Sequence, residues 1–119
     1  MGDHRKLEVW RLACALADRM YELVSRLPPR VQKQLGDQLQ RAADSIHMNI
    51  AEGCGLNSDA QLARCADISL GSANEVESGL MRLEQRGVLP RDFQDMIEDA
   101  TILRKKLGAF IKRLRKGRG

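Results

Sequence analysis

Aromatic residues are scarce in this chain: Trp10, Tyr21, Phe93 and Phe110 are the only four in 119 residues. That scarcity argues against a β-rich core, which leans on aromatic and β-branched side chains. It also argues against a base-stacking platform for single-stranded nucleic acid. Cysteine is present three times, at Cys14, Cys54 and Cys65, an odd number with no CxxC spacing. This excludes a disulfide framework and points to reduced thiols. With only His4 and His47 beside those cysteines, zinc lacks its usual ligand set. The longest apolar run, LACALA at residues 12–17, is far short of the ~18 residues of a membrane span. The N-terminal MGDHRKLE is charged where a secretory signal needs an apolar stretch, so a cytoplasmic protein that makes no membrane contact is expected. No P-loop, Gly-rich dinucleotide turn, haem-attachment motif or serine elbow occurs. The chain is therefore expected to be no enzyme and to carry no cofactor.

What is present is helical. Leu, Ala, Arg, Gln and Glu dominate, and only three prolines interrupt the chain. In residues 6–26, Trp10, Ala13, Cys14, Ala17, Met20, Tyr21, Val24 and Leu27 follow three-and-four spacing and form a buried face. Val9, Leu12, Leu16 and Leu23 form a second apolar stripe beside it, assigned to a subunit interface. Pro28-Pro29 ends this helix and can supply the first position of the next. Residues 30–52 place Leu35, Leu39, Ala42, Ala43, Ile46 and Ile50 inward, and Gly53 and Gly55 stop them. Residues 59–86 open with the capping box Ser58-Asp59-Ala60-Gln61 and carry Leu62, Ala66, Ser69, Ala73, Val76, Leu80 and Leu83 at alternating steps of four and three. Gly87 ends them. Residues 90–115 begin at Pro90 with Phe93, Met96, Ile97, Ala100, Leu103, Leu107, Phe110 and Leu114 inward. Short connections make successive helices antiparallel neighbours. The expectation is all-α: one domain, residues 1–119, an up-down four-helix bundle with a basic C-terminal tail.

The most chemically mixed stretch is RAADSIHMNIAEGCG, residues 41–55. Asp44 and His47 are three apart and can meet on one helix face, like half of a di-iron ligand motif. No second motif completes it, so a solvent-facing Asp–His pair and no metal are expected. Cys14 and Cys65 read as small buried residues, and Cys54 as the more exposed thiol. Ala42, Ser45, Asn49 and Glu52 instead form a seam for close helix packing, facing Ser69 and its neighbours. Folding back around residues 54–57 sets Asn49 near Leu62, Ser45 near Ala66 and Ala42 near Ser69, with Asn49 and Glu52 satisfying backbone groups at the turn.

QLQRAADSIHMNIAEGCG, followed by Ser58-Asp59-Ala60 and ISLGSANEVE, resembles the four-helix-bundle family of 23S rRNA intervening-sequence proteins. Relatives of that family include the accessory variability determinant proteins of diversity-generating retroelements. Gln38, Leu39, Arg41, Ala42, Ala43, Ser45, Ile46, Asn49, Ile50, Ala51, Glu52 and Gly53 stand in a QLRRAA-x-SI-x-x-NIAEG pattern, and Ile68, Gly71, Ser72 and Glu75 in the following segment. The Lys6-Leu7-Glu8-Val9-Trp10 opening is similar as well. Departures fall at Lys33-Gln34, Gln40-Arg41, Leu56, Leu62 and Cys65. The resemblance implies a homopentamer without enzymatic activity; the retroelement relatives bind nucleic acid, RNA or DNA, and a reverse transcriptase, whereas intervening-sequence members have no settled function.

Charge supplies the remaining signal. Residues 105–119 hold Lys105, Lys106, Lys112, Arg113, Arg115, Lys116 and Arg118 with no acid, leaving 13 basic and 16 acidic groups on the other 104 residues. These seven cations are the expected nucleic-acid-binding residues, through sequence-independent phosphate contacts. The alternative is a protein-interaction scaffold without a direct nucleic-acid role.

Overall fold

Breaks at Pro28, at residues 55–58 and at Gly87 divide the chain into four helical stretches. The computed structural model describes residues 2–117. Helix α1 is Glu8–Arg26. Helix α2 covers residues 29–54, α-helical at Pro29–Val31 and Asp37–Cys54 with a π turn at Gln32–Gly36 between them. Helix α3 is Asp59–Gln85 and α4 is Met96–Lys116. Single 3₁₀ turns precede α1, at His4–Lys6, and α4, at Arg91–Phe93. Among the described residues there is no strand, and four helices make the bundle. No helix is long and apolar enough to cross a membrane.

Local chemistry sets the helix ends. At the start of α3 the Ser58 hydroxyl accepts from Gln61 N–H at 3.2 Å, and the Gln61 side chain accepts from Asn57 N–H at 2.9 Å. The capping pair is thus present, with its return bond one residue earlier than a capping box has it. At the end of α3, Gly87 takes φ +73°. Gly87 N–H then reaches Glu84 O and Val88 N–H reaches Leu83 O, both at 3.0 Å, closing a Schellman turn. The fourth helix starts at Met96 rather than near Pro90. Pro90 is extended, and the 3₁₀ turn after it tucks Phe93 into the core. The guanidiniums of Arg19 and Arg26 then lie 5.3 and 5.0 Å from the Phe93 ring centre.

The core of α1 is rotated from the expected face. Val9, Ala13, Leu16, Ala17, Met20, Leu23 and Leu27 are buried, whereas Tyr21 is 72% exposed and Trp10, Cys14 and Val24 are half-buried. The buried set steps by four and three from Val9 to Leu27, so it is itself a continuous seam. Both apolar stripes could not face inward at once. The core takes the line between them, with Ala13, Ala17, Met20 and Leu27 from the first and Val9, Leu16 and Leu23 from the second, and Trp10 packs edge-on against His4 at 4.9 Å.

Packing is closest between α2 and α3, then between α3 and α4, and least between α1 and α4. Glycine permits the closest approach. A Cβ on Gly53 would lie 2.7 Å from Leu62 Cδ1 and 2.9 Å from Cys65 Cβ, and one on Gly79 would run into the Leu39 side chain. Between α3 and α4, Glu77 accepts from the Thr101 hydroxyl and, at 3.1 Å, from Arg104 Nε. Gly53→Ala is expected to destabilise the fold by about 1–3 kcal/mol through overpacking. Gly71→Ala, where nothing lies within 4 Å, is expected to stabilise it by up to about 1 kcal/mol through helix propensity. Urea midpoints of the two variants check the pair, and equal shifts would contradict the close approach.

Candidate nucleic-acid interface

Helix α4 ends in cations because its last two turns carry them on every side that is not core. Met96, Ala100, Leu103, Leu107, Phe110 and Ile111 are buried, and the residues between them carry the charge. The structure divides the seven expected residues into two groups. Lys106 Nζ lies 3.1 Å from Glu8 Oε1, and Arg115 pairs with both carboxylate oxygens of Asp67. Lys105, Lys112, Arg113 and Lys116 are exposed and make no ion pair among the described residues. Arg118 lies outside the described residues.

Three of the four unpaired cations share one outward line. At ~1.5 Å rise per residue, Lys105, Lys112 and Lys116 span about 16 Å, with gaps of about 10 and 6 Å. Arg113 stands to one side, toward α1, in a groove lined also by Leu7, Glu8, Val9, Lys106, Ala109 and Phe110. Cations in the last turn also complement the partial negative charge of the helix C-terminus, whose final bond is Gly117 N–H to Arg113 O at 2.8 Å. Sequence reasoning missed Arg64. It lies on α3 beside Arg115 and Leu114, in the same shallow depression as Ala60, and it makes no ion pair among the described residues. Only the antiparallel register of α3 against α4, with Asp67 opposite Arg115, brings it to the basic end.

The seam residues occupy one face as expected, in a different register. Ser69 Oγ, fully buried, donates to Ile46 O at 2.8 Å, and Ser72 Oγ donates to Ser45 Oγ at 2.9 Å. Leu62 meets Gly53. Relative to the expected pairs, α3 is displaced about one turn along α2, because α2 continues through Cys54 before the chain reverses. Ala42 is buried in this interface. Asn49 serves its own helix rather than the turn, donating to Ser45 O at 2.8 Å and Ser45 Oγ at 3.0 Å. Glu52 is exposed, and among the described residues its carboxylate makes no hydrogen bond. Its backbone carbonyl accepts from Gly55 N–H.

Two further assignments change. Val9, Leu16 and Leu23 are buried inside the single chain, so they are core rather than a face held out for another subunit. Of the four only Leu12 stays partly exposed. The cysteine order also inverts: Cys54 is buried and Cys14 and Cys65 are half-buried. Cys54 sits under the N-terminal turn with Leu7, Leu62, Phe110 and Leu114. Burial pushes all three thiols above their ordinary pKa, helped at Cys14 by Asp18 and at Cys65 by Glu52. Asp44 Oδ1 lies 3.5 Å from both His47 Nε2 and Gln40 Nε2, and the group is partly exposed.

Residues 5–109 match the family model described as 23S rRNA-intervening sequence protein. The chain belongs to that family. A solved structure, a protein of unknown function from the S23 ribosomal protein family of Bacteroides thetaiotaomicron, is 28% identical with a TM-score of 0.75. The similarity covers 87% of this chain and 95% of that one. No curated protein matches. In this member of the 23S rRNA-intervening sequence family the matched span holds the whole α2–α3 seam and stops before Lys112, Arg113 and Lys116. Family membership therefore accounts for the bundle, and three of the four unpaired cations must be judged on their own geometry.

Ser69→Ala is expected to cost about 1 kcal/mol, the usual worth of a buried hydrogen bond, whereas Glu52→Ala leaves thermal stability unchanged. Differential scanning calorimetry separates them, and the reverse order would contradict the seam geometry. Thiol labelling with a disulfide reagent at neutral pH is expected to modify Cys14 and Cys65 before Cys54. Cys54 reacting first would contradict its burial.

Proposed function

We propose that this chain is a non-enzymatic, oligomeric nucleic-acid-binding accessory protein whose phosphate contacts come from the outer side of α4. The observation that carries this reading is the row Lys105, Lys112 and Lys116, left unneutralised beside Arg113 while Lys106 and Arg115 are spent on Glu8 and Asp67. A helix surface with a cation at ~6–10 Å intervals and no competing carboxylate attracts a polyanion by counterion release, without reading its sequence. The family description names 23S rRNA intervening sequences, which makes structured RNA the first ligand to try. The homopentamer implied by the resemblance would display the row five times and raise avidity. A reverse transcriptase is the protein partner implied by the same resemblance. The half-exposed groove between α1 and α4 favours a second reading, a protein-interaction scaffold with no direct nucleic-acid role.

Fluorescence anisotropy with structured RNA and duplex DNA across a salt series tests the first reading. Binding is expected at low salt, with log K falling linearly against log salt by ~0.9 per duplex phosphate neutralised. The K105Q/K112Q/K116Q variant is expected to bind at least about tenfold more weakly with a slope smaller by roughly three contacts. Lys106→Gln, already paired in the wild type, is expected to change little. Absence of binding at low salt, or unchanged binding by the triple variant, would overturn the reading.

A further inference from the structure

The seam between α1 and α4 is the loosest of the bundle's neighbouring pairs and leaves an open apolar groove. Its middle is a hollow of about 190 Å³ lined by Leu12, Ala15, Leu16 and Ile102, with Ile102 40% exposed. Charges frame it in alternation. At one end Glu8 stands beside Lys106 at 3.1 Å. At the other Arg19 stands beside Asp95 at 2.8 Å and Asp99 at 3.6 Å. Beyond these, Asp92 lies 3.3 Å from Arg26 at the second end and Arg113 lines the groove at the first. The second end thus sets three carboxylates against two guanidiniums, a net of −1, and the first sets two cations against one carboxylate, a net of +1. Burial and the neighbouring Asp95 raise the Asp99 carboxyl above its ordinary pKa, as expected where acid outweighs base.

The spacing of these groups is symmetric about one line across the groove. Glu8 and Arg19 lie equally far from the point between residues 13 and 14, as do Leu12 and Ala15. Lys106 and Asp99, both on α4, lie equally far from the point between residues 102 and 103. Because Glu8 neighbours Lys106 and Arg19 neighbours Asp99, the two points lie opposite one another across the seam.

We propose that this face binds a second copy of the chain across a two-fold axis perpendicular to the helices, passing beside Ile102. Rotation about that axis lays α4 antiparallel on α4 and α1 antiparallel on α1. Each Asp99 then meets Lys106 of the other copy, and each Arg19 meets Glu8. Leu12 meets Ala15, and the two Ile102 side chains meet on the axis. An isologous contact needs a self-complementary patch, and this one supplies two opposite-charge pairs, each made twice, around an apolar centre. An axis parallel to the helices also joins opposite corners, but it lays the −1 end on the −1 end. A foreign helix would have to bring a matching pattern that the chain already holds. The operator differs from the five-fold one implied by the resemblance: it doubles the mass of single chains, and of rings where the two-fold axis crosses the five-fold one. The outward row Lys105, Lys112 and Lys116 stays free.

Light scattering at low salt on the full chain, with circular dichroism to confirm folding, tests this with Asp99→Lys and Lys106→Glu. Each variant alone is expected to show half the wild-type mass, and an equimolar mixture to restore it, since each reversed charge then meets its opposite. The pair Glu8→Lys and Arg19→Glu on α1 is expected to repeat the loss and the rescue if either α4 variant fails to fold. Variants with the wild-type mass would overturn the proposal, whether the face is bare or covered by another partner. Halved masses that mixing does not restore would overturn the axis.

Discussion

Helices α2 and α3 approach so closely that Gly53 leaves no room for a Cβ against Leu62 and Cys65, and this contact positions everything else. The approach lets Ser69 reach the Ile46 carbonyl and Ser72 reach Ser45, so the interface is short-ranged and specific in register. A slip by one turn would drive a side chain into Gly53 or Gly79 and orphan the Ser69 hydroxyl. Two helices fixed in this way present a surface on which α1 and α4 dock from opposite sides. The matching 23S rRNA-intervening sequence model spans this pair entirely.

Docking from opposite sides has an energetic consequence. Helix α1 leans on α2, and α4 leans on α3 through the Glu77, Thr101 and Arg104 group, while α1 and α4 pack less closely and are bridged by ion pairs at the surface. Exposed pairs of that kind contribute little to stability, typically below ~1 kcal/mol each. Their alternation around Leu12, Ala15 and Ile102 has more to say about association than about folding. The firm seam and the loose seam lie on opposite faces of the same bundle.

Much of this was legible in the residues. Periodicity located four helices to within a few positions, since each buried stripe repeats at steps of three and four and each break is marked by Pro or Gly. The seam was legible in kind, because Ala, Ser and Gly at helical spacing imply close approach. Its register was not, because a two-residue extension of α2 moves every facing pair by a turn. The face of α1 is less legible for a related reason: two apolar stripes run side by side, and only contact with α2 and α4 decides that the line between them is buried. At the basic end the sequence showed seven cations but not which were already paired. Glu8, some hundred residues before Lys106, and Asp67 enter only through the fold, and so does Arg64.

The mixed polar stretch at residues 41–55 is therefore a packing device, and the chemistry available to a partner lies on α4. Asp44 is shared by His47 and Gln40 rather than by a further ligand, and Asn49 is occupied by Ser45. Helix α4 instead ends in a row of cations that form no ion pair among the described residues. The most direct measurement is lysine acetylation footprinting, read by mass spectrometry with and without structured RNA. The account predicts that RNA protects Lys105, Lys112 and Lys116 while Lys33, at the start of α2, stays equally reactive. Unchanged reactivity along α4, or protection confined to Lys33, would contradict it.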